Sequence, residues 1–289
     1  AAGVTISSAV LLRSVTNPIY INNLAGGSIT AGTWTFSGGW QGSSDFAIPF
    51  SGTPLSAAGA ATVTVSGVAE WSGQIGNASV YTLYTLNVGA GQAITISGRV
   101  DANFIASASP GFRMVLAAGV GTATFSGAVF ISGPGINSTT AINLFDLTAA
   151  GTLTLTGITL NITFYVGRAA FVLFRAVAGG TINRPTTINL ENCVFDGAFT
   201  DESGAGAFVG AAVIILSARN CHFSGLVTWT TGAAYTSLQC FQSHFNGNTA
   251  NESVTMGGAR PATYRYWACS FFARYSDNLP EVLYDWIVR

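Results

Sequence analysis

The chain has 289 residues, of which 49% are hydrophobic and only 8% charged, with a formal net charge of −1; an ordinary globular domain carries roughly 25% charged residues. So balanced a charge gives no electrostatic drive toward nucleic acid or an anionic membrane surface. No apolar run approaches the ~18 residues of a membrane-spanning helix.

The first element is Val4-Thr5-Ile6-Ser7-Ser8-Ala9-Val10-Leu11, and its pattern returns along the chain. The copies that follow are Trp34-Thr35-Phe36-Ser37-Gly38, Val63-Thr64-Val65-Ser66-Gly67, Ile94-Thr95-Ile96-Ser97-Gly98, Ala123-Thr124-Phe125-Ser126-Gly127 and Leu153-Thr154-Leu155-Thr156-Gly157. Their starts lie 30, 29, 31, 29 and 30 residues apart. A period of this length marks a solenoid, in which one supersecondary unit stacks on the next. Alternation places the flanking apolar residues inward and the central Thr outward. Between copies run short apolar segments, Phe112–Leu116, Leu144–Leu147 and Phe171–Phe174, each followed by an Ala/Gly corner. Strand, bend, strand, loop and strand in about 30 residues describe one coil of a parallel β-solenoid.

Beyond residue 160 the vocabulary changes. Ile188–Phe195, Leu216–Phe223, Leu238–Phe245 and Tyr264–Phe271 keep the apolar positions, at spacings of 35 from the last early copy and then 28, 22 and 26. The sequence therefore predicts an all-β chain of about ten coils, a rod of roughly 48 Å at ~4.8 Å per rung. An antiparallel membrane barrel also alternates, but it calls for polar loops and aromatic girdles. The loops here are Ala, Gly and Ser, so no membrane insertion is expected.

Asn192-Cys193-Val194-Phe195-Asp196-Gly197 and Asn220-Cys221-His222-Phe223-Ser224-Gly225 resemble coils of the right-handed parallel β-helix (pectin-lyase-like) superfamily. That group includes pectate lyases, phage tailspikes and capsid-decorating virion proteins. The resemblance covers most of the chain and is architectural, so it implies a fold and not an activity. The β-helix is expected over residues 1–275. The segment 276–289, with Pro280 and Trp286, is expected to cap the solenoid or dock onto a neighbouring subunit. The opening Ala-Ala-Gly-Val-Thr-Ile lacks the basic and apolar regions of a signal peptide, and a mature exported form is compatible with that.

Candidate sites follow from stacking. Glu70 and Asp101 align on successive coils, with Trp71 and Arg99 nearby. A glycosidase needs two carboxylates about 5–9.5 Å apart, so this is the candidate catalytic pair, set against incidental surface charge. Asp196, Asp201 and Glu202 are read as loop charge. Neither group has the calcium-binding Asp cluster that lyases of this fold use. Cys193 and Cys221 are expected to point inward as fillers, and Asn192 and Asn220 to form an amide ladder at a corner. His222 and His244 share an outward position and are read as surface imidazoles. The four cysteines lack close C-x-x-C spacing, and no metal or cofactor is expected.

The outward column Thr5, Thr35, Thr64, Thr95, Thr124 and Thr154 suits a subunit contact, and it also resembles the faces of ice-binding β-solenoids. Weakly charged faces of this breadth imply contact with something else. The leading expectation is a structural protein of a virion surface, extracellular, capsid-decorating or tailspike-like. It would act without chemistry through a homotrimer whose interface includes Thr64, Thr95, Thr124, Thr154 and Trp286, and it would meet other virion proteins or a cell-surface glycan. A carbohydrate-binding or glycan-cleaving β-helix is the alternative, a glycoside hydrolase if an enzyme at all. An ice-binding solenoid is the third.

Overall fold

The computed structural model describes residues 4–6, 10–14, 29–36, 40–44, 57–65, 69–73, 80–86, 88, 90–91, 93–97, 99–104, 107–108, 111–117, 119–138, 141–166, 170–210, 214–230, 236–246, 254–256 and 263–271. Among them every strand pairing is parallel and in sequence order, coil upon coil, and no helix occurs. This is a parallel β-solenoid. Parallel pairing of successive coils is also the opposite of the antiparallel closure that a membrane barrel requires.

One complete turn shows how the sequence makes the coil. The strand Thr152–Val166 turns the corner into Phe171–Ala176, and the chain returns through Thr181–Asn183 to lie on its own start, with Leu153 beside Ile182. Residues 122 to 230 make about four such turns, not the ten that the motif count predicts. Before and after them strands still pair, but complete turns are not described. The proposed cap at 276–289, with Trp286, lies outside the described residues.

Two sheets enclose one core. A sheet of seven strands, among the described residues, carries the short apolar segments, with Val115, Phe145, Phe174 and Glu202 stacked in register. The larger sheet carries the Thr motif and its continuation. Between them Phe125, Leu153, Leu160, Phe174, Phe195, Phe199 and Leu216 are fully buried or nearly so. Aromatic rings stack along the rod: Phe195 on Phe223 at 5.2 Å and Phe223 on Phe245 at 5.0 Å, nearly coplanar at 15° and 5°. Each coil alone could not bury these rings, so stacking supplies the core that the coil lacks.

The register corrects one alignment. Ile188 pairs with Ile158, and the partner of Leu153 is Ile182. The apparent jump of 35 residues is therefore absent, because partners sit 29 to 30 apart throughout this region. The early motif and its continuation lie on one long strand, Thr152–Val166. The later Asn-Cys-x-Phe segments belong to the second half of that strand and not to the Thr half. Both halves read as apolar alternation, and alternation alone does not say which half a copy matches.

Corners need backbone that side chains resist. Gly204 has φ of +102°, and a Cβ there would lie 2.1 Å from the carbonyl oxygen of Ala176 on the preceding coil. Only glycine fits such an approach.

Candidate functional site

The Thr column is a continuous ladder in register. Thr5 pairs with Thr35, Thr35 with Thr64, Thr64 with Thr95, Thr95 with Thr124, Thr124 with Thr154, and Thr154 with Asn183. Thr95, Thr124 and Thr154 are partly exposed, and Ser97, Ser126 and Thr156, two residues on, are exposed. Thr122 and Thr152 form a parallel second column. Asn183 donates from Nδ2 to Thr154 Oγ1 at 2.8 Å, ending the row with an amide. The result is an uncharged hydroxyl face built by period-2 alternation on a flat sheet.

Glu70 and Asp101 are partners in register on adjacent rungs, as the sequence predicts, with Trp71 beside Ala102. The side chains of Glu70 and Trp71 lie outside what is described. Asp101 is held by Arg99, whose Nε donates to Oδ1 at 2.6 Å while its guanidinium sits 4.1 Å from the Phe130 ring centroid. An ion pair of this kind occupies the carboxylate with a neighbour two residues away.

A corner repeated on four coils organises the later chain. Asn192, Asn220, Gln242 and Ala268 all adopt φ near +50°. Asn tolerates this left-handed region better than most residues. Asn220 Nδ2 donates to Asn192 Oδ1 at 2.9 Å, the amide ladder expected from the sequence. The next residue on each coil turns inward: Cys193, Cys221, Ser243 and Cys269. Cys193 donates to the Leu160 carbonyl, Cys221 to that of Leu190, Ser243 to that of Ala218 and Cys269 to that of Cys240, at 3.2 to 3.4 Å. These side chains bond the corner of one coil to the strand of the coil before. A hydrogen bond with Cys193 lowers the Cys221 thiol below its ordinary range, whereas burial raises Cys240 and Cys269.

The acidic residues read as loop charge are placed otherwise. Asp201 and Glu202 lie on the strand Phe199–Gly204, and both are buried. Asp201 accepts from the backbone N–H groups of Glu202 and Thr230 at 2.8 and 2.7 Å and from the Thr230 hydroxyl. It thereby satisfies the backbone at the end of the next coil's strand, Val227–Trp229. Glu202 accepts from Arg184 Nε and, at 3.0 Å, from Nη2. Burial pushes its carboxyl up to about 6, against the opposing pull of Arg184. One coil earlier, the fully buried Asp146 is gripped by Arg175 through two bonds of 2.7 and 2.6 Å. Period-2 counting missed these residues because the strands bury two neighbours in succession, Phe145 with Asp146 and Asp201 with Glu202. The signal available was pairing across one period, Asp146 with Arg175 at 29 residues. Their arrangement is that of cross-braces: every oxygen is committed to a structural donor.

A last feature lies on the outward face of the second half-strand. Glu191, Arg219, Phe241 and Trp267 are successive partners on four rungs. The Arg219 guanidinium lies 4.9 Å from the Phe241 ring centroid, and Trp267 is 55% exposed. Among the described residues no group of three or more His, Cys, Asp or Glu converges as a metal site.

Compared with protein-family models, with curated proteins and with solved structures, the chain matches none.

Proposed function

We propose that this protein is a non-catalytic structural component of a virion surface, a right-handed β-helix of the pectin-lyase-like type that works by burying its hydroxyl face against copies of itself. The observation that carries the reading is the unbroken Thr column, six rungs in register with no charge in it. Such a face costs little to desolvate compared with a charged one, and a threefold axis closes the assembly without leaving a free edge. The braced state of Asp146, Asp201 and Glu202 supports a structural reading, since none of these carboxylates is poised beside an open cleft. Light scattering tests it. A native mass three times 29.8 kDa is expected, falling to the monomer in Thr124→Lys/Thr154→Lys. A monomeric parent would refute the assembly. The Thr face would then be tested for ice binding by thermal hysteresis, lost in the same variant.

The strip of Arg219, Phe241 and Trp267 favours glycan attachment as a second reading. An exposed indole offers a sugar its flat face, and a guanidinium offers paired donors to hydroxyl or carboxylate oxygens. Retention on a glycan array lost in Trp267→Ala supports attachment. Polysaccharide cleavage lost only in Glu70→Gln/Asp101→Asn would instead make the protein an enzyme.

A further inference from the structure

The chain has two histidines in 289 residues, and the fold sets them side by side. His222 and His244 are partners in register on adjacent coils, with ring centroids 6.1 Å apart and planes inclined at 45°. We propose that the two imidazoles form a binding site for one divalent transition-metal ion, of the zinc, nickel or copper kind.

The spacing suits a single ion. Imidazole nitrogen lies about 2.0–2.1 Å from such a metal, which puts each ring centroid roughly 3.2 Å from it. Two rings on one ion then stand about 5 Å apart at a tetrahedral angle and about 6.3 Å apart when opposed. The observed 6.1 Å falls inside that range, so ligation needs side-chain rotation and no movement of the sheet.

Each ring also has a polar neighbour of the type that supports ligation. His244 Nδ1 hydrogen-bonds Ser270 Oγ at 2.7 Å, which fixes the ring and directs Nε2 outward. A ligating imidazole held through its other nitrogen is the usual outer-shell arrangement. The Asn246 amide donates from Nδ2 to His222 Nε2 at 3.2 Å, so this nitrogen presents its lone pair. Turning that amide over would bring Oδ1 to the same place as a third, weaker donor. Val194 and Ser270 occupy the column on either side, which confines the site to two rungs. Two imidazoles, one amide oxygen and solvent form a nitrogen-rich set that selects zinc, nickel and copper over magnesium and calcium. With an open coordination sphere, the expected affinity is micromolar.

The site is independent of the trimer and of the glycan strip, and its test is separate. Ni²⁺ is titrated into the full chain by calorimetry, and Cu²⁺ is added for electron paramagnetic resonance. One equivalent of Ni²⁺ should bind with micromolar affinity, weakened at least tenfold in His222→Gln and in His244→Gln separately. The Cu²⁺ spectrum of the unaltered chain should show hyperfine coupling to two equivalent imidazole nitrogens, a readout independent of how the variants fold. Absence of saturable Ni²⁺ binding, affinity undiminished in either variant, or coupling to fewer than two nitrogens would overturn the proposal.

Discussion

Glu202 should make the stability of the coil depend on pH in a direction opposite to that of most acidic residues. Its carboxyl is 6% exposed and pushed from 4.5 up to about 6, burial outweighing the two bonds from Arg184. A rise of about 1.5 pH units is worth about 2 kcal/mol at 1.36 kcal/mol per unit. Below pH 4.5 the group is neutral in both the folded and the unfolded chain, and above pH 6 it is ionised in both. In between, the folded chain keeps a proton that the unfolded chain has lost, so the stability present below 4.5 falls as pH rises to 6. At about 2.1 cal/mol/K of unfolding entropy per residue, roughly 0.6 kcal/mol/K for the whole chain, this amounts to about 3 °C in Tm. Glu202→Gln keeps an oxygen acceptor for Arg184 but cannot titrate. Thermal melts of both proteins from pH 4 to 7 isolate the effect, because every other titrating group is common to the pair. The Tm of the wild type should fall by about 3 °C relative to the variant between pH 4.5 and 6. Parallel curves across that window would refute the argument that burial dominates at Glu202.

Two further outcomes follow from packing. Phe223→Ala removes the middle ring of the Phe195–Phe223–Phe245 stack and should cost about 3–5 kcal/mol, measured by urea unfolding; a loss under 1 kcal/mol would mean that the column collapses to fill the gap. Gly225→Ala would place a Cβ 2.3 Å from the Gly197 carbonyl carbon and 2.4 Å from the Ala198 nitrogen. Because that is backbone of the preceding coil, the variant should lose about 1–3 kcal/mol, and an unchanged Tm would show that the two coils can part without penalty.

The parallel solenoid was legible because its signal is redundant. Each Thr is flanked by apolar residues and recurs near 30 residues, so six weak patterns reinforce one another. The amide pair Asn192 and Asn220, the inward Cys193 and Cys221 and the adjacent His222 and His244 were readable for the same reason, each being a repeat of a repeat. Coil number and alignment were less accessible. Ile188–Leu190 matches either half of Thr152–Val166 by hydropathy, and only hydrogen-bonded register assigns it to Ile158–Leu160. The buried ion pairs were hidden by a different cause. In a soluble chain Asp and Glu are normally exposed, so Asp201 and Glu202 read as solvated charge. Their burial depends on partners 29 and 18 residues away, Thr230 and Arg184. The Thr ladder carries its geometry in the sequence; what lies against it does not.

The left-handed corner has a consequence for how such a protein can change. Equivalent corner positions recur after 28, 22 and 26 residues, yet Leu190, Ala218, Cys240 and Tyr266 stay in register. Coil length thus varies by six residues with no slip in the ladder, because each corner is aligned by the one beneath it rather than by counting from the start of the coil. Insertions and deletions in the excursions between ladder strands are therefore neutral to the frame. A lineage built this way can diversify what it displays while conserving its spine, and the same property makes the excursions natural points for grafting foreign peptides.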